Sequence, residues 1–202
     1  MTRTTIILAV ALSLSAVTPA QYVDAGSDTI AVFVSHKRHS AIPAHIERMS
    51  LWTYTGRILA SGAFPAWEPM ELIKAGAVVV AQRAVWLKRH HDPRFTWRGE
   101  RFDVFSGSAP RWCRGCDAGQ YYRPAVYVHS RIRHAVSAVM GWHIRKHGRM
   151  TKPQWSSGGS WCGDERRGNR LPAGGGAACA RAGHDWRSIL RVYFAPMDLV
   201  RA

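Results

Sequence analysis

Two helical patterns separated by a short break dominate the hydrophobic profile of this chain between Ser50 and Lys88. Ser50 to Leu59 (SLWTYTGRIL) reads as a helix, with the Ser50 hydroxyl placed to cap its first turn. Gly62 and Pro65 break that helix. A second helix is predicted from near Pro69, a residue tolerated in a first turn. From Ala75 to Leu87 it is apolar around nearly its whole circumference, with Gln82 and Arg83 the main exceptions. A helix apolar all round belongs in the centre of a fold. Lys88, Arg89, His90 and His91 gather at its end, where they suit the helix dipole.

Elsewhere the pattern is shorter in range. Thr29 to Ser35 (TIAVFVS) is rich in β-branched residues and predicts a strand. Arg101 to Phe105 and Gln120 to Tyr122 read as strands around a loop of Gly, Pro and Cys. His134 to Met140 reads as a short helix, and Trp142 to Trp155 as a hairpin turning at His147-Gly148. A Gly-rich loop follows, after which Asp185 caps a last helix through Tyr193. These elements predict an α+β fold: a single domain with one long buried helix packed among short antiparallel strands and hairpins.

Composition changes this picture in three ways. Residues 1–25 read as an export signal, with Arg3, an apolar run from Ile6 to Val17, and small residues at Thr18-Pro19-Ala20 or Val23-Asp24-Ala25 for cleavage. The alternative is an uncleaved anchor or a buried helix. Export leaves residues 26–202 as one domain, predicted to be secreted or associated with a bacterial cell wall, with no later segment long and apolar enough to span a membrane. The net charge of +15, mostly arginine, draws the chain to polyanions. An exported chain meets anionic wall polymers and lipid headgroups before nucleic acid. With 47% hydrophobic residues and nine tryptophans, the chain is not a disordered basic tail.

Four cysteines, Cys113, Cys116, Cys162 and Cys179, favour disulfides in an exported protein. Three pairings exist, and Cys162 with Cys179 is the favoured one. It would close the segment GDERRGNRLPAGGGAA, whose composition buries little surface by itself. Cys113-x2-Cys116-x12-His129-x4-His134 also fits the spacing of a two-Cys, two-His zinc site, so zinc is the one cofactor the spacing suggests. Against a DNA-reading finger stand Gln120 at a slot usually aromatic and Pro124 where the helix of a finger would begin. The same Cys113-Arg114-Gly115-Cys116 has the spacing of a redox dithiol, without the strand-to-helix transition such a motif ordinarily has. No G-x-S-x-G elbow accompanies Ser156-Ser157-Gly158-Gly159, and His36, His39 and His45 read as solvated. Arginines interleave with aromatics at Trp86 to Arg89, Phe95 to Arg98 and Arg111-Trp112, a pattern that serves sugar or base stacking as well as core packing.

Taken in order, several segments resemble the stage II sporulation protein D (SpoIID) family, which includes the N-terminal domain of the amidase enhancer LytB. Tyr54 to Leu59 followed by Pro69-Met70-Glu71-Leu72-Ile73-Lys74-Ala75-Gly76-Ala77-Val78 is similar to the helix, loop and W-P-x-E-A-L-K-A-Q/G-A-V-A helix of that family. Phe102 to Phe105 and Gln120 to Pro124 resemble its Y-D-V and Q-V-Y-R-P strands, and His134 to Ala138 with Gly141 its A-V-x-A-T-x-G turn. Ser156-Ser157-Gly158-Gly159 is similar to its S-S-x-G-G loop, while Asn169 to Leu171 and Asp185 to Leu190 match its closing N-R-M and W-x-x-I-L patterns. The resemblance spans residues 28 to 195.

The resemblance implies a partner, peptidoglycan glycan strands, with a wall amidase as a further one, and lytic transglycosylase chemistry. That chemistry needs a carboxylic acid to protonate the glycosidic oxygen. The family carries it in the loop before the long helix, a position that falls on Gly62 counted from Tyr54 and on Ala63 counted back from Pro69. Neither residue transfers a proton. Glu68 and Glu71 are the nearest carboxylates and hence the candidate acids, with Glu71 more simply read as structural. The expectation is therefore a glycan-strand-binding protein impaired in cleavage. Its rivals are an active lytic transglycosylase or amidase enhancer using Glu68 or Glu71, a zinc-dependent nucleic-acid binder through Cys113, Cys116, His129 and His134, and a structural wall protein held by charge.

Overall fold

The computed structural model describes residues 29–35, 43–107, 119–120, 122–166 and 168–201. The export segment, His36, His39, Cys113 and Cys116 lie outside the described residues.

Strand β1 (Thr29–Val34) is buried from Ile30 onward, as an apolar run covered on both faces must be. It pairs antiparallel with β2 (His45–Ser50), which leads directly into α1 (Leu51–Ile58). The Ser50 hydroxyl accepts the Thr53 N–H at 3.2 Å and caps α1 as its sequence suggests. A π-helical turn over Leu59–Ala63 ends the helix, and α2 (Met70–Arg89) follows with Pro69 at its N-cap. The chain then forms the ribbon β3 (Thr96–Trp97) and β4 (Glu100–Arg101), and strands β5 (Val104–Ser106) and β6 (Gly119–Gln120). The main sheet has the order β2-β1-β5-β6.

Helix α3 (Ser130–Val139) precedes a three-stranded sheet of order β11-β7-β8, made by β7 (Trp142–Lys146), β8 (Arg149–Met150) and β11 (Asp198–Arg201). Strand β9 (Gln154–Ser156) pairs with β10 (Arg170–Pro172), which runs into α4 (Ala173–Arg181) and then α5 (Trp186–Phe194). Helix α2 touches α1, α3, α4 and α5 together with β1, β5, β7 and β9. Its Val78, Val79 and Val80 are fully enclosed, each contributing about 1.5–3 kcal/mol by burial. The fold is thus α+β, organised around one buried helix. No helix among the described residues is long and apolar enough to cross a membrane.

Four local expectations change. The strands are not uniformly antiparallel: β5 lies parallel to β1, β6 to β5 and β10 to β9. A crossover through α1 and α2 returns the chain in the same direction, which a hairpin cannot do. The hairpin after Trp142 does turn at His147 and Gly148, both at positive φ (49° and 74°), but it ends at Met150. Pro153 lacks a ladder donor, and Trp155 belongs to β9. The helix expected at His134 begins at Ser130, because the His129 imidazole supplies the cap by accepting the Arg131 N–H at 3.2 Å.

The fourth change concerns the expected Gly-rich loop, which holds a strand and a helix. In α4 a Cβ at Gly174 would lie 2.0 Å from the Gly159 carbonyl oxygen, and one at Gly176 would lie 2.7 Å from Leu72 Cδ1. The glycines are there for close approach, and packing overrides their poor helix propensity. The segment consequently buries Leu171, Ala177 and Cys179.

Candidate active site: a cleft beside the broken helix

The turn that ends α1 shapes the first wall. Ser61 Oγ donates to the Arg57 carbonyl at 2.7 Å and accepts the Arg123 N–H at 3.0 Å, anchoring the chain just before it reverses. Gly62 makes the reversal at φ 113°, a conformation that disfavours any side chain, although a Cβ there would meet nothing within 4 Å. Phe64 then turns inward and is fully buried, its ring lying where a side chain at Gly76 of α2 would have to stand. Pro65 to Glu68 form a tight turn, with the Glu68 N–H donating to the Pro65 carbonyl at 3.0 Å. Arg131 of α3 donates to the Glu68 carbonyl at 3.0 Å. The loop is thereby held from three sides.

Behind it lies a polar network. The Tyr54 hydroxyl donates to Gln120 Oε1 and the Tyr122 hydroxyl to Glu47 Oε2, both at 2.5 Å. Arg57 donates to the Tyr122 oxygen at 2.6 Å and pairs with Glu47. Burial raises the pKa of both tyrosines. Burial opposes the Arg57 charge, but bonds to Glu47 and Tyr122 more than offset it and raise its pKa. Both phenols therefore stay protonated at neutral pH, and the network fastens α1 to β2 and β6.

The opposite wall is the Ser156–Gly159 loop and the start of α4. The Gly158 carbonyl accepts the Gly174 and Gly175 N–H groups at 2.9 and 3.4 Å, so this loop caps the helix. Between the walls is a cavity of about 490 Å³. The first wall contributes Gly62, Ala63, Pro65, Trp67 and Glu68, and the second Trp155, Ser156, Ser157, Ala173 and Gly174. Trp67 is 83% exposed. Trp155 is half-buried, with the Arg83 guanidinium 6.0 Å from its ring centre. Ser156 Oγ is buried without a hydrogen-bond partner among the described residues.

The sequence candidates separate here. Glu68 lines the cavity and is the one carboxylate among its described lining residues. Glu71 does not line it. Its Oε1 accepts from Lys74 Nζ at 2.6 Å and its Oε2 accepts the Trp186 N–H at 3.0 Å. Both oxygens are engaged, and Glu71 serves as a brace from α2 to the first residue of α5, beside the Asp185 cap on Ser188. Glu71 is thus engaged structurally and stands outside the described cavity lining.

His129 stands at the N-cap of α3 and exposed His134 on its first turns, with Nδ1 of His129 occupied by the Arg131 N–H. The described residues contain no group of three or more His, Cys, Asp and Glu able to hold a metal ion. Cys162 and Cys179 form a disulfide with Cα atoms 4.5 Å apart, tying the loop after the second wall to α4.

Two residues at or beside the cleft were not singled out from sequence. Trp67 carried no motif, and its 83% exposure is visible only in the folded chain. Glu165, not a lining residue of the cavity, places its carboxylate against Gly158, where a Cβ would lie 2.2 Å from Oε1. The chain matches no protein-family model and no curated protein.

Proposed function

We propose that this protein binds peptidoglycan glycan strands in the cleft between the 62–68 loop and the start of α4, and that it is impaired as a lytic transglycosylase. The observation that carries the reading is Trp67, 83% exposed on the wall of a cleft whose loop has glycine and alanine where the SpoIID resemblance would place the acid. An exposed indole face beside hydroxyls and a carboxylate suits a sugar ring, which offers C–H groups to the ring and hydroxyls to the polar rim. The resemblance to the SpoIID family supplies the substrate class. The reading places the protein outside the cytoplasm, in or against the wall.

The two positions that the sequence left open both line the cavity and differ in backbone conformation. Gly62 is held at φ 113° and takes a side chain only with strain, so a carboxyl is better added at Ala63. Incubation with denuded glycan strands tests the reading, with binding and cleavage measured separately. Wild type is expected to retain strands without releasing anhydro-muramyl ends. Trp67→Ala is expected to lose retention by about tenfold or more, the magnitude of a lost aromatic contact. Ala63→Glu is expected to begin cleavage. Wild-type cleavage that disappears in Glu68→Gln would instead establish the active-enzyme reading, which the position of Glu68 in the cavity favours. Retention that high salt abolishes and Trp67→Ala leaves unchanged would point to a wall protein held by charge alone.

A further inference from the structure

We propose a second binding site, for a phosphate group, in a cavity of about 440 Å³ that shares no lining residue with the glycan cleft. It is lined by Thr29 and Ala31 of β1, Arg48 of β2, Lys88 of the last turn of α2, Arg101 of β4, and Asp103. Three cationic residues and one carboxylate therefore line one space, brought there by β2, the end of α2 and the 101–103 stretch.

The cations are held in place largely by backbone. Arg48 Nη2 donates to the Arg101 carbonyl at 3.3 Å, and Arg101 Nη2 donates to the Lys88 carbonyl at 3.2 Å. Each arginine is thus fixed by the main chain of the next cationic residue, which gathers like charges that would otherwise separate. Asp103 is committed to the sheet: its Oδ2 accepts the Ala31 N–H at 2.9 Å and its own N–H donates to the Ala31 carbonyl at 2.8 Å. Arg48 also reaches Glu100 Oε1 at 2.8 Å, on the exposed rim. Burial, and after it the charge of Arg101, lowers the pKa of the neighbouring His91 from its ordinary value, against the opposing effect of Asp103 and Asp92.

Two guanidinium forks and one ammonium, carried on three different elements, belong to the lining residues. That matches the oxygens of a tetrahedral phosphate, three acceptors on free phosphate and two non-bridging ones set out of plane from the ester oxygens on a diester, better than a carboxylate, which offers two in a plane. The source is either free phosphate or a phosphodiester repeat of an anionic polymer, and the net charge of +15 favours the polymer by long-range attraction. Nothing in this site depends on the glycan reading.

Calorimetric titration of the full chain with inorganic phosphate, and separately with poly(glycerol phosphate), tests the assignment. Wild type is expected to bind at least the polymer. Arg48→Ala and Arg101→Ala are each expected to weaken binding about tenfold. Glu100→Gln is expected to tighten it by releasing Arg48 from its carboxylate. Binding of both probes identifies a general phosphate site, and binding of the polymer alone a diester site. All these changes are at exposed side chains, and an unaltered melting curve checks the fold. Absence of binding to either probe, or binding that the Arg48→Ala/Arg101→Ala double variant leaves unchanged, would overturn the proposal. Double-stranded DNA bound more tightly than the polymer through the same arginines would also overturn it, in favour of a nucleic-acid interface.

Discussion

At the scale of single residues, Gln82 shows how a polar exception inside an apolar helix acquires meaning. It is fully buried, and its Nε2 donates to the Ile144 carbonyl at 2.7 Å and to the Thr151 carbonyl and hydroxyl at 2.9 Å. Its Oε1 accepts the Ile144 N–H at 2.5 Å. One side chain therefore completes the backbone pairing in the middle of β7, just beyond the end of its ladder with β8. Gln82→Leu should cost about 3 kcal/mol, because it leaves at least two buried main-chain groups unpaired. The midpoint of denaturant unfolding measures this, and an unshifted midpoint would mean that water replaces the amide. The sequence marks Gln82 and Arg83 as odd, but their partners lie 62 to 70 residues away and no local pattern reveals them. Glu71 teaches the same lesson in reverse. Its proximity to the cleft in sequence makes it a candidate acid, and its bond to an N–H 115 residues later gives it a bracing role that the sequence does not show.

At the scale of elements, α4 is the helix that local propensity argues against. Three consecutive glycines disfavour it, and it forms because each lies where a side chain would collide with a neighbour. Gly174→Ala should therefore destabilise by about 1–3 kcal/mol and widen the cleft, since the added Cβ would meet a main-chain oxygen at 2.0 Å that cannot rotate away. A lowered Tm together with weakened glycan retention is the expected result. A Tm at or above that of wild type would show that the helix gains more from alanine than the packing loses. Helices α1 and α5 are the opposite case. Their caps, Ser50 and Asp185, are read directly from the chain because a capping bond spans only three residues.

At the scale of the molecule, the buried helix α2 carries the fold and positions both sites, presenting the 62–68 loop at its start and Lys88 at its end. The Cys162–Cys179 disulfide secures the far wall of the cleft, closing a segment with a sequence separation of 17. Replacing both cysteines by serine should lower stability by about 3 kcal/mol, the loop-closure entropy returned to the unfolded chain. Comparing the Tm of that variant with wild type, oxidised and reduced, measures it. If reduction lowers the wild-type Tm but leaves the variant unchanged, this bridge accounts for the redox dependence. Equal Tm values for variant and oxidised wild type would show that packing of α4 against α5 holds the wall unaided.

What the amino-acid order determined alone is what short-range physics controls: the Ser50 and Asp185 caps, the break at Gly62, the unbroken apolar helix through Ala75 to Leu87, and the turn at His147-Gly148. Each depends on residues within one turn of each other. The tertiary structure alone decided that β2 and β11 exist, that β9 and β10 run parallel, and that Glu68 faces the cleft while Glu71 does not. It also decided that Arg48, Lys88 and Arg101 share one cavity. Strand pairing and convergent side chains depend on partners brought together only when α2 is buried, and their sequence spacing carries no record of that meeting.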